Sequence, residues 1–177
     1  IDPISLPSAV FDPSNPKIVG RFVALAMVAQ ERKPLAELTQ AYGSGVYAIY
    51  YTGPYDAYAP IRGTETPIYV GKSGPQVAGA RTPLEQGPKL TARLKEHRGN
   101  ISKATATLDI KDFHYRALVV QSGLEVSAEE YLIHLFRPIW NKEVGILFGL
   151  GKHGDASETR ANKRSPWDTL HEARAWA

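Results

Sequence analysis

Residues 45–51 read GVYAIYY and residues 67–71 read PIYVG, and the build of these two short runs decides the fold. The first is rich in β-branched and aromatic side chains and is closed by Thr52-Gly53-Pro54, which marks a strand ended by a turn. Alternation along it places Tyr47, Ile49 and Tyr51 on one face. The second run is a second strand, with Tyr69 following Ile68, and FHYRALVV at 113–120 is a third. Ser73 to Pro88 is rich in Gly and Pro and reads as a loop. Helical spacing of Ile18, Phe22, Leu25 and Val28 predicts a helix over 17–32, ended by Pro34. Further helices are expected over 89–103, over 126–137 up to Pro138, and in a short stretch within 166–176. The class is therefore α/β (α+β), a small antiparallel three-stranded sheet flanked by helices. The expected organisation is one compact domain, with an N-terminal arm and helix over 1–44, a core over 45–141 and an extension over 142–177.

With 177 residues and 43% apolar content, the chain can bury one real core. It has no cysteine, so any metal must be held by oxygen or imidazole ligands. No apolar run approaches the roughly 20 residues that span a bilayer, and the N-terminus lacks the build of a secretory signal. A soluble, cytoplasmic protein is expected. The net charge of +3 says little alone. Between Lys72 and Arg116, however, nine Lys and Arg face four Asp and Glu, the local field a phosphate backbone would seek, although an ordinary solvated surface could carry it too.

Chemistry concentrates on two helices and the strand ends. At about 100° per residue, Glu129 falls between Val126 and Ile133 on one side and Leu132 and Phe136 on the other, in the middle of an apolar face. A carboxylate there needs a partner, and either a metal ion or an arginine would serve. On the preceding helix Arg93 and His97 are one turn apart at the border between core and cleft. The guanidinium could clamp a phosphate and the imidazole could orient or relay a proton; each could equally be an ordinary surface or core residue. Tyr47, Tyr69 and Lys72 taken singly are unremarkable sheet residues.

Taken together, Gly45-Val46-Tyr47 followed by Tyr69-Val70-Gly71 resembles the paired signature of the GIY-YIG nucleases, with Val in the Ile position both times. Arg93, His97, Glu129 and Asn141 follow in the order that family uses, over roughly 45–141. The long interval between Tyr47 and Tyr69, the IYVGK run at 68–72, LKEH at 94–97 and the terminal WDTLHEARAWA resemble a small branch of restriction endonucleases that read CCGCGG. The resemblance implies a Type II restriction enzyme that hydrolyses double-stranded DNA with one Mg2+ (or Mn2+) bound through Glu129. It implies Tyr47 as the group that activates water, Arg93 on the scissile phosphate and Tyr69 bonded to the water or to Tyr47. Asn141 would brace the metal side, and Lys72 or His97 would favour the phenolate. A palindromic target implies a homodimer. Base reading falls by elimination to the 55–66 insertion, the 73–88 loop and the tail, where Arg62, Arg81, Arg160, Lys163 and Arg164 could reach guanine edges, with Lys89 and Arg98 extending the DNA-binding surface. A repair or homing enzyme of the same family, or a non-catalytic DNA-binding protein on the same sheet, are the rival readings.

Overall fold

A computed structural model describes residues 10–141 and 165–172 of the chain. At its centre four antiparallel strands, β1 (Lys33–Pro34), β2 (Gly45–Tyr51), β3 (Tyr69–Ser73) and β4 (Phe113–Val119), lie in the order β1-β4-β2-β3. The expected class holds, with one strand more than the three expected. Pro34 disfavours the helical region for Lys33, so the chain runs extended there and pairs with His114 and Tyr115 of β4. The first helix stops at Val28 rather than reaching Arg32 (α1, Pro16–Val28).

The central strand β2 is buried on both faces. On one side Tyr47, Ile49 and Tyr51 pack with Leu90, Leu94 and Ile101 of α3 (Lys89–Ile101) and with Phe113 and Trp140. On the other, Val46, Ala48 and Tyr50 pack with Ala24 and Met27 of α1 and with Ala128 and Leu132 of α4 (Glu125–Phe136). The face of α1 is turned from the expected one: Gly20, Ala24 and Met27 are buried while Phe22 is 65% and Leu25 57% exposed. Small side chains win here because α1 presses onto α4. A Cβ at Gly20 would lie 2.7 Å from the Ser127 carbonyl oxygen and 2.9 Å from the Tyr131 Cβ. The segment expected to be loop carries a four-residue helix, α2 (Pro83–Gln86), started by a reciprocal Thr82–Glu85 cap.

The last described helix, α5 (Pro166–His171), begins where the C-terminal helix was expected and is capped by Ser165. It is fastened by a one-way hydrogen-bond chain. Trp140 Nε1 donates to Tyr58 Oη (2.9 Å), Tyr58 faces His171 Nε2 (2.5 Å), and His171 Nδ1 faces Thr107 Oγ1 (2.8 Å). Thr107 Oγ1 spends its proton on the Ala104 carbonyl (3.5 Å) and so accepts from His171 Nδ1–H, which leaves Nε2 of the neutral imidazole to accept from the phenol. Burial pushes His171 down from 6.5 to about 4, against a small opposing pull from Asp168. The folded form is thus the poorer proton binder between those values. Stability is full above pH 6.5 and falls as pH drops through the window from 6.5 to about 4, by up to roughly 3 kcal/mol. Urea midpoints measured across that window should decline in wild type, and the portion of the decline due to this site should vanish in His171→Gln. Parallel curves for the two proteins would refute the assignment.

Candidate active site

The site is assembled from β2 and β3 together with the middle turns of α3 and α4. The register sets Tyr47 opposite Gly71, and that glycine leaves the space the phenol occupies. A Cβ on Gly71 would stand 2.5 Å from Tyr47 Oη, 2.6 Å from Cζ and 3.0 Å from Tyr69 Cε1. The Tyr47 hydroxyl meets His97 Nε2 at 2.7 Å, and the rings of Tyr47, Tyr69 and His97 form a tilted triangle with centroids 4.9 to 6.2 Å apart. Both Tyr47 and His97 are fully buried. The Tyr47 phenol is raised well above its ordinary value, first by burial, then by neighbouring Tyr69 and Glu129, while the Arg93 guanidinium opposes the shift by charge and hydrogen bonding. Tyr47 therefore rests as a neutral phenol within the reach of a cation, a carboxylate and an imidazole.

Glu129 is not in the middle of the buried face as its wheel position suggested. The buried stripe of α4 is Glu125, Ala128 and Leu132, whereas Val126 is exposed, so Glu129 stands at the stripe's edge with 17% of its side chain open to solvent. The reason is again the small residue: α4 packs through Ala128 between β2 and α1. The partner that the carboxylate required is Lys72, whose ammonium it binds directly, rather than an arginine. Arg93 sits at the rim, held by Glu96 at 2.6 Å one turn along α3. The i, i+3 spacing of that pair was a signal that the sequence offered and that pointed to Glu96.

Asn141 bonds the backbone of β3 between Tyr69 and Gly71. Its side-chain amide receives the Val70 N–H (2.9 Å) and donates to the Val70 carbonyl (2.8 Å), while Trp140 N donates to the Ile68 carbonyl (3.0 Å). Residues 140 and 141 thus cover the free edge of β3 as a further strand would. Among the expected DNA contacts, Arg62 is engaged by the Pro54 carbonyl (2.9 Å) and Asp56, and Arg98 by the Ala36 and Leu38 carbonyls (3.3 and 3.5 Å). Lys89 opens α3 and is exposed, as is Arg81. Arg160, Lys163 and Arg164 lie outside the described residues.

The family model of the Eco29kI GIY-YIG domain matches residues 39–177, a span that includes Tyr47, Tyr69, Arg93, His97 and Glu129. The chain belongs to the Eco29kI GIY-YIG family. A comparison with curated proteins found no match. As a GIY-YIG nuclease domain of restriction-endonuclease type, it takes DNA as its substrate. No helix among the described residues is long and apolar enough to cross a membrane.

The donor set of the domain also bears on a metal. Among the described residues no group of three or more His, Asp or Glu is gathered that could hold an ion by itself. Glu129, a single part-exposed carboxylate already paired with a cation, fits a hydrated Mg2+ or Mn2+, which is commonly held by one or two carboxylates together with water and substrate phosphate. It does not fit a closed structural site.

Proposed function

We propose that this GIY-YIG domain is a Type II restriction endonuclease: a cytoplasmic homodimer that cuts both strands of double-stranded DNA within a short GC-rich palindrome, CCGCGG, one strand per subunit. The reading is carried by the grouping of Tyr69, His97 and Arg93 about Tyr47, with the Lys72–Glu129 pair near enough for the carboxylate charge to act on the phenol. The target and the two-fold pairing rest on the resemblance of the long interval between Tyr47 and Tyr69 and of the terminal segment to the CCGCGG-reading branch.

Arg93 holds the scissile phosphate through its planar fork, a contact for which Glu96 is the resting substitute. Water approaching Tyr47 Oη gives up a proton to it as the phenolic proton passes to His97 Nε2, so the strongly raised phenol never has to persist as phenolate. The resulting hydroxide attacks phosphorus, the bond to the 3′ oxygen breaks, and that oxygen takes a proton from solvent. Lys72 sets the position of Glu129 and adds positive charge beside the phosphate. Bound through Glu129, Mg2+ or Mn2+ supplies Lewis-acid stabilisation of the charge that gathers on the phosphate and the leaving oxygen.

Incubating the protein with plasmid DNA and magnesium and sequencing the ends tests the whole proposal. Discrete fragments with ends at one palindrome support it; a smear, or a preference for branched DNA, would instead mark a repair-type or homing-type nuclease. For the relay, His97→Gln keeps a hydrogen-bond partner for Tyr47 but cannot accept the proton. Single-turnover cleavage should fall by about a hundred-fold or more, and a rate equal to wild type would send the proton elsewhere.

A further inference from the structure

A second cleft, whose lining includes none of the residues around Tyr47, has a single charged group among its lining residues. It encloses about 780 Å³ between the loop after β3 and the end of β4, and Arg81, Gln86, Val119, Gln121 and Ser122 are among its lining residues. Its walls are pinned. Gln86 accepts from Ser44 N (2.9 Å) and donates to the Val120 carbonyl (2.8 Å), Ser122 Oγ donates to the Ala80 carbonyl (2.8 Å), and Gln76 N donates to the Gln86 carbonyl (2.9 Å). Glu85 caps α2 by accepting from Arg81 N at 2.7 Å. The loop is therefore built before any ligand arrives, which is what a recognition element on a scaffold requires.

Two polar side chains remain for a ligand. Arg81 is exposed and has no ion pair among the described residues, in contrast to Arg62 and Arg98, whose guanidinium groups are engaged. Gln121 is also exposed, with no side-chain hydrogen bond among the described residues. Val119, 44% exposed, lines the same cleft as an apolar wall. The cleft offers a two-donor fork and an amide that can accept, and this set is complementary to the major-groove edge of a G·C pair: guanine N7 and O6 accept from the fork, and the cytosine amino group donates to the amide oxygen. An A·T pair would present a donor where the fork needs an acceptor. A bare phosphate would leave the amide oxygen and the apolar wall without a use.

The position fits as well. Val119 pairs with Gly45, two residues before Tyr47, so the cleft lies about 7 Å along the strand from the backbone of Tyr47, on the side of β2 away from Gly71, and within reach of a base close to the scissile phosphate. We propose that Arg81 and Gln121 form a base-reading site for a G·C pair adjoining the cut. The inference rests on the reading of the protein as one that acts on duplex DNA.

The test is selection of a randomised duplex pool by the full chain in calcium, which asks for binding without requiring cleavage, followed by salt titration of affinity for the selected duplex. Arg81→Lys keeps the charge and loses the fork; it should relax preference at one G·C pair by about ten- to a hundred-fold while the salt slope stays as in wild type. Gln121→Ala should relax the same position. If Arg81→Ala instead weakens all sequences alike and lowers the salt slope, Arg81 holds phosphate and the proposal is overturned. Unchanged selectivity in all three variants, or a wild type that selects no sequence, overturns it too. A wild type that selects a site, is relaxed by these substitutions and yet never cuts would uphold the cleft and remove the nuclease reading.

Discussion

Glu129→Ala is expected to abolish metal-dependent DNA cleavage, with a loss on the order of a thousand-fold or greater, and to leave DNA affinity unchanged or slightly raised. Losing an ion that stabilises developing charge removes several kcal/mol of transition-state stabilisation, and each ~1.4 kcal/mol is a factor of ten in rate. The fold should survive. The Lys72–Glu129 pair is partly exposed, with 36% and 17% of the side chains open, so its loss costs no more than about 1 kcal/mol. Affinity should hold because the change deletes a negative charge facing the phosphate and leaves Lys72 free to contact it. Glu130→Ala is the control: it is the next residue on α4 but exposed, and its cleavage rate should match wild type. Melting curves, DNA binding and single-turnover cleavage of the three proteins decide the matter. Continued magnesium-dependent cutting by Glu129→Ala at the wild-type rate would remove Glu129 from the chemistry and with it the proposed metal site.

What could be read from the sequence depended on how local its cause is. Strands β2, β3 and β4 were legible because aromatic and β-branched runs bounded by Gly and Pro state their conformation within seven residues. Tyr47, Ile49 and Tyr51 share a face because period two fixes it. Helix faces were harder. Large apolar side chains dominate a helical wheel, whereas α1 and α4 meet through Gly20, Ala24 and Ala128, residues of little weight in such a reading. This is why Phe22 and Leu25 were expected inside and lie outside, and why Glu129 was centred on a face whose edge it occupies. Partnerships across long separations left no local trace at all. Asn141 meets Val70 and His171 meets Tyr58 from 71 and 113 residues away, so their roles as edge cover and helix fastening emerge only once the chain is folded.

Among substitutions that remove no functional group, Gly71→Ala is expected to have the largest effect on cleavage. The added Cβ would stand 2.5 Å from Tyr47 Oη and 2.6 Å from Cζ, distances that real Cβ contacts do not adopt. The usual escape, a swing of the flexible neighbour, is closed here. Tyr47 is fully buried, lies between the rings of Tyr69 and His97, and is held at its hydroxyl by His97 at 2.7 Å. Neither can the glycine backbone retreat easily, because β3 is paired with β2 on one edge and clamped at Val70 by Asn141 on the other. Something must move by an ångström or so, and the only contents of that space are the groups proposed to activate water. Displacement on this scale in a catalytic constellation lowers rate by about a hundred-fold, while overpacking a buried site costs typically 1–3 kcal/mol of stability. The expected result is a folded protein with a lowered melting temperature, wild-type DNA affinity and cleavage reduced about a hundred-fold in kcat rather than in KM. A variant that cuts as fast as wild type would show that Tyr47 is not held where the chemistry needs it, and the relay through His97 would fall with that.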